Sequence, residues 1–253
     1  MIDTTQKMQE ALSRLPRTDT YPFSSKLHAE YDVRHMALSI TPANVLLALH
    51  RAREAQALAV SYRDFRVGAA AVTLTAGTPG FQIVTGINVK PDQTTSMNVH
   101  AEQVALQKVD DRRFHYVSTL AVVGETQADT QSGHGAATLH PCGLCRSAIA
   151  QHPGIDPEHT LLASALPDLR TIELYNLASL QRFHDHGDES EVQRFDLPDL
   201  ALLKPFTQET GVVKLDDSDE AYKDEMQWNS TVGAFVDVWR MNVLEHSIGS
   251  KLY

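Results

Sequence analysis

Thiols are scarce in this chain of 253 residues: there are two cysteines, Cys142 and Cys145, and both fall in one short stretch. Two thiols cannot build a disulfide framework. Spaced C-x-x-C, they serve either as a redox pair or as two ligands of one metal ion, and a reducing compartment favours these over a structural bridge. Cations are also short: Lys and Arg number 22 against 32 Asp and Glu, for a net charge of −10. Affinity for nucleic acid comes largely from Lys and Arg neutralising phosphates, so this balance argues against a polynucleotide partner. Long apolar runs are missing, which argues against a membrane-spanning helix. The opening "MIDTTQKMQEALSRL" has no basic start followed by an apolar stretch. It does not read as a secretory signal, so the expected location is cytoplasmic. Internal repeats and low-complexity tracts are lacking too.

What is present is ordinary for a globular chain: 42% hydrophobic and 21% charged residues, in a length that buries a sizeable core. Met8, Leu12 and Leu15 predict an N-terminal helix over about 4–15, with a weaker one at 26–40. Thr41 as cap and Pro42 in the first turn predict a clearer helix, with Val45, Leu46, Leu49 and Ala52 on one apolar face. Two strands, Val67–Leu74 and Phe81–Val89, flank a Gly/Pro turn and form a hairpin candidate. Then come a helix over His100–Val109, the buried strand "STLAVVG", a short helix over Cys142–Gln151, and the strands "TLLASAL" and "TIELY". Helices alternating with strands imply an α/β sheet covered on both faces. Residues 188–217 read as polar and irregular. In the final stretch Trp228, Val232, Phe235 and Trp239 make one apolar helical stripe, expected to pack on the body or on a partner subunit. The organisation expected is an N-terminal helical extension (1–42), a central unit (43–187) and a C-terminal extension (188–253) ending in an amphipathic helix.

The chemistry concentrates in "NVHAEQVAL" and "HPCGLCRSA". Zinc prefers thiolate and imidazole ligands; a structural site is closed by four, whereas a catalytic one uses three and keeps a position for water. A C-x-x-C at a helix N-terminus points both sulfurs at one ion, and the helix dipole stabilises the thiolates. His100 supplies a third ligand from the start of another helix. Two thiolates and a neutral imidazole leave the ion formally neutral, so it retains Lewis acidity and lowers the pKa of water. Glu102, two residues past His100, is free to shuttle the water's proton. A purely structural site has no need of Glu102, which would then be a first-turn carboxylate favoured by the helix dipole.

H-x-E followed by P-C-x-x-C resembles the signature of zinc deaminases of cytosine or adenine, and the likeness goes further. "YRDFRVGAAAV" (Tyr62–Val72), "GINVK", "VHAEQVAL" and "PCGLCRSAI" are similar to successive motifs of the cytidine deaminase family, over about residues 43–180. "HAEQ" looks most like its dimeric, His-Cys-Cys branch. The resemblance implies a three-layer α/β/α sandwich with a mixed sheet of about five strands. It implies zinc held by His100, Cys142 and Cys145, with Glu102 as proton shuttle. It further implies Phe65 against the pyrimidine ring, Asn88 on the sugar, the Ala101 amide at the base carbonyl, and a homodimer or homotetramer.

One position departs from the family. Its sugar-binding strand carries Asn, one residue, then Glu; here the third residue is Lys90, which donates hydrogen bonds and accepts none. Lys90 either points to solvent, or binds an anionic group on a modified substrate, or marks the loss of nucleoside activity. Arg146 reads as support for the thiolates or as a surface arginine, and His140 as a residue able to close the metal site as a fourth ligand. Three functions compete: a hydrolytic deaminase of cytidine or deoxycytidine, a deaminase of an unusual aminopyrimidine nucleoside (an anionic one included) or nucleoside antibiotic, and a non-catalytic zinc scaffold.

Overall fold

The computed structural model describes residues 19–21, 37, 39–61, 63–75, 80–91, 98–111, 116–126, 135–197, 206–207, 213–214 and 227–249. The helix expected over 4–15, most of the one at 26–40 and residues 218–226 of the last helix lie outside them. In chain order the elements are β1 (Asp19–Tyr21), α1 (Pro42–Ala57), β2 (Val60–Ser61), β3 (Val67–Leu74), β4 (Phe81–Ile87) and β5 (Val89–Lys90). There follow α2 (Ala101–Asp111), β6 (Tyr116–Gly124), α3 (Gly143–Gln151), β7 (Leu161–Ala165), β8 (Thr171–Tyr175) and α4 (Leu177–His186). The chain continues through β9 (Gln193–Asp196), β10 (Phe206–Thr207) and β11 (Val213–Lys214) to α5 (Ala234–Gly249).

The main sheet has the order β1-β4-β3-β6-β7-β8-β9, with β6 and β7 parallel and the other neighbours antiparallel. It is mixed, as expected, with seven strands rather than about five. The five inner strands are those the sequence predicts; the two edges come from segments where it shows no strand. Every residue of β3 is buried, as is all of β6 but its first. Burial on both faces is what a covered sheet demands.

The two covering layers follow the strand alternation. Ala70, Val72 and Leu74 face α1 and the C-terminal helix, whereas Ala71, with Val84 and Leu120, faces α2, α3 and α4 through Leu106, Ile149 and Leu180. The Thr41 hydroxyl accepts from the Asn44 amide (3.2 Å) and caps α1, with Pro42 in the first turn. One apolar face was expected for this helix, yet Leu47 and Ala48 are buried along with Val45, Leu46 and Leu49. The reason is a second contact: Trp228, Val232 and Val236 lie over α1 in the same core. The C-terminal stripe therefore packs on its own body. It begins in a π-helical turn, Asn229–Gly233, and Phe235 touches Phe195 of β9, ring centres 5.8 Å apart.

Two glycines let helices approach the sheet. A Cβ on Gly68 would stand 2.0 Å from the Ala52 carbonyl oxygen of α1, and one on Gly86 would stand 2.1 Å from the Ala101 carbonyl oxygen of α2. Because β4 and β6 are both antiparallel to β3, their C-terminal ends share one end of the sheet. The segments leading into α2 and α3 start from that end and bring the two helix N-termini together.

Candidate active site

His100 precedes α2, and its backbone amide donates to the Gln103 side chain (3.3 Å) while its carbonyl accepts from Val104 (3.1 Å). Cys142 caps α3 with its backbone carbonyl, which accepts from Arg146 (2.8 Å), and makes no side-chain capping bond. One turn on, Cys145 is fully buried, whereas Cys142 is exposed. Both helices therefore aim the positive ends of their dipoles at the same point, which favours thiolate over thiol.

The three donors meet. His100 Nδ1 lies 3.1 Å from Cys145 Sγ and 3.4 Å from Cys142 Sγ, and the two sulfurs are 3.5 Å apart. A tetrahedral zinc with ordinary Zn–N and Zn–S bonds separates its ligand atoms by roughly 3.5–3.8 Å. The set fits a zinc ion in donor type, with spacings a few tenths of an ångström tighter than that, and among the described residues these three are the group able to hold one. Without a cation the sulfurs share a proton: a hydrogen bond from Cys145, helped by His100, pulls the Cys142 thiol down to about 3. That same bond and burial push Cys145 up.

Glu102 sits in the first turn of α2, 5% exposed, in the wall of a cleft of about 850 Å³ that also takes in His100 and Cys142. Burial raises its carboxyl above the usual range, against hydrogen bonds from its own amide and from Cys145. A carboxyl held toward neutrality beside a metal set is suited to taking up and giving back a proton.

The cleft brings together all but one of the residues the sequence nominated. Phe65, Asn88, Lys90 and Ala101 line it with His100, Glu102 and Cys142, while Cys145 is buried. Both ends of the Asn88 side chain are engaged: Oδ1 accepts from the Val67 amide (2.7 Å) and Nδ2 donates to the Phe65 carbonyl (2.8 Å). Asn88 thus ties the Phe65 loop to the end of β4. Lys90 reaches into the cleft, its Nζ 5.4 Å from the centre of the Phe65 ring. Arg146 lines the cleft too and donates to the Pro141 carbonyl (3.0 Å), bracing the backbone just before Cys142. His140 does not join the metal set; its Nε2 lies 3.0 Å from Glu173 Oε2.

Sequence reading did not single out Glu173, Arg194, Thr138 or the cleft-lining His184 and Asp185. One signal was available: "TIELY" places a carboxylate in a strand that is otherwise apolar but for its first residue, and a charge buried there needs partners.

Residues 44–156 match the family model described as the cytidine and deoxycytidylate deaminase zinc-binding region. Among solved structures, the chain is similar to cytidine deaminase from Burkholderia pseudomallei, with 22% identity and a TM-score of 0.38 over 61% of this chain and 96% of that one. Cytidine deaminase from Mycobacterium leprae gives 20% and 0.38 over 54% and 96%. That from Mycobacterium tuberculosis gives 27% and 0.31 over 49% and 81%. No curated protein matches the chain significantly.

Proposed function

We propose, from the match of residues 44–156 to the cytidine and deoxycytidylate deaminase zinc-binding region, that this chain is a hydrolytic deaminase of cytidine, deoxycytidine or a close analogue. The carrying observation is the place of Glu102: buried, two residues past His100, in the cleft wall beside three metal donors. A zinc ion held by His100, Cys142 and Cys145 would supply the Lewis acidity that makes water a nucleophile near neutral pH.

The remaining chemistry falls to the chain's own groups. Glu102 takes a proton from the water and passes it to the ring nitrogen beside the amine-bearing carbon. It then passes a second proton to the amine. A C–O bond forms, the C–N bond breaks, ammonia leaves and the ring keeps a carbonyl. Phe65 packs on the pyrimidine. The Ala101 amide, in a helical first turn where backbone N–H groups have no i−4 acceptor, meets the base carbonyl. Asn88 meets the sugar with the hydrogen and lone pair its two backbone bonds leave over. A homodimer or homotetramer is part of this reading; the exposed side chain of Leu144, two residues past Cys142, supports it, and the mass in solution tests it.

The test is ammonia release by the zinc-loaded protein given cytidine and deoxycytidine. Glu102→Ala should lower the rate by about 10²–10⁴-fold with zinc content unchanged. A protein carrying one zinc per chain that releases no ammonia from any aminopyrimidine nucleoside or nucleotide would sink the deaminase reading and leave the zinc scaffold. A second reading has its own support: among the described residues, Lys90 Nζ stands over the Phe65 ring, which offers it no counter-charge, so its charge is left for a ligand. That favours an anionic aminopyrimidine, which the same assay ranks against cytidine.

A further inference from the structure

Glu173 is 1% exposed in the middle of β8 and gathers donors from three directions. Its Oε2 accepts from the Thr138 amide (2.9 Å), the Thr138 hydroxyl (2.6 Å) and His140 Nε2 (3.0 Å). Its Oε1 accepts from the Ala137 amide (3.2 Å) and from Arg194 Nε (3.1 Å) and Nη2 (3.0 Å). Arg194 is its directly opposite partner across the β8–β9 ladder, and its Nη2 also donates to the Gly135 carbonyl (2.6 Å). One carboxylate and one guanidinium thus hold Gly135, Ala137, Thr138 and His140. The next two residues are Pro141 and the metal donor Cys142.

That donor needs outside support. Cys142 is exposed, and its side chain caps nothing. Its place depends on the backbone that delivers it, held on one side by Arg146 at the Pro141 carbonyl and on the other by the Glu173 cluster. The tightness of a metal site depends on groups that fix the ligands as well as on the ligands. A carboxylate suits the task here because each group facing it is a donor and it only accepts.

We propose that Glu173 and Arg194 are positioning residues of the zinc centre. Strand β9, which lies beyond the segment matching the family model, is thereby a working part of the site. The proposal rests on the zinc reading and adds two residues to it that no motif marks.

The alternative is that the cluster only stabilises a sheet edge, and metal binding separates the two. Gln at 173 keeps the volume but carries one acceptor and one NH₂, so one side of the cluster is left facing donor to donor. Arg194 is 42% exposed at an edge strand and Glu173 is 1% exposed, so Arg194→Ala disturbs the fold less than Glu173→Gln. Zinc affinity is measured on the full chain by competition with a chromogenic chelator, and the absorption bands of the cobalt form report ligand geometry. Both variants should bind zinc about 10–100-fold more weakly with altered cobalt bands. Arg194→Lys should recover part of the loss, and the double variant should be no weaker than Glu173→Gln alone. Folded variants with a lower melting temperature but wild-type zinc affinity and cobalt bands would overturn the proposal. A wild-type chain that binds no zinc would overturn the zinc reading and this proposal with it, and needs no variant to be seen.

Discussion

Gly86 and Ala101 leave no space between them for a side chain. A Cβ on Gly86 would stand 2.1 Å from the Ala101 carbonyl oxygen and 2.6 Å from the Ala105 amide nitrogen, both helix backbone and unable to swing aside. Gly86→Ala must push the first turn of α2 off the sheet, and that turn carries His100 and Glu102. The expected cost is about 3 kcal/mol, at the upper end for overpacking, with weakened zinc binding in the protein that still folds. Gly68→Ala is the control. Its Cβ would meet Ala52 and Gln56 of α1 on the opposite face. It should destabilise similarly while leaving zinc affinity intact, as chelator competition beside urea unfolding will show.

Acid should dismantle the Glu173 cluster in a definite window. Burial works against the carboxylate, but bonds from His140, Thr138 and Ala137 outweigh it and hold the group at about 2, below the reference value of 4.5. The folded value is the lower one, so the contribution is fully present above pH 4.5 and is lost as pH falls toward 2. At about 1.4 kcal/mol per pH unit it is on the order of 3 kcal/mol. Urea unfolding of the metal-free wild type and Glu173→Gln between pH 6 and 2.5 checks this. The stability gap should narrow steadily below pH 4.5. A gap independent of pH would mean that Glu173 is not charged in the folded protein.

The C-terminal helix is part of the core, and Trp228 measures how much. The residue is 2% exposed and shares a core with α1. Trp228→Ala should cost about 3–5 kcal/mol, as for other large buried aromatics. Its indole Nε1 is buried without a hydrogen-bond partner among the described residues. Trp228→Phe removes that unsatisfied donor along with some volume, so its cost should stay below about 1.5 kcal/mol. Thermal unfolding of the two variants gives the comparison.

The metal set was legible because each half is local. His100 with Glu102, and Cys142 with Cys145, have spacings fixed by one helical turn, so their chemistry shows in the sequence before any fold is known. The five inner strands were legible for a similar reason: buried on both faces, they read as apolar runs. The edges were not. β9 is Gln193–Asp196, three of its four residues exposed, and such a strand leaves no periodic trace. Nor was the partnership of His140 legible. Its partner Glu173 lies 33 residues on, and only the β7–β8–β9 ladder brings them together. The double burial of α1 stayed hidden for the same cause, since its outer cover arrives from the far end of the chain.

Lys90 decides between the two substrate readings. Its Nζ stands 5.4 Å from the Phe65 ring centre inside the cleft, where Phe65 is assigned to the pyrimidine. A charge-assisted hydrogen bond to a phosphate or carboxylate is worth about 1.5–3 kcal/mol, or roughly 10–100-fold in kcat/KM. With an anionic aminopyrimidine, Lys90→Ala should lose that factor mainly through KM, and Lys90→Glu should lose more because like charges then face each other. With neutral cytidine, Lys90→Ala should change kcat/KM little, and Lys90→Glu should raise it by restoring an acceptor for a sugar hydroxyl. Steady-state kinetics of three proteins on two substrates distinguish the cases. A Lys90→Glu variant that is worse on both would show that the ammonium serves the Phe65 ring rather than either ligand.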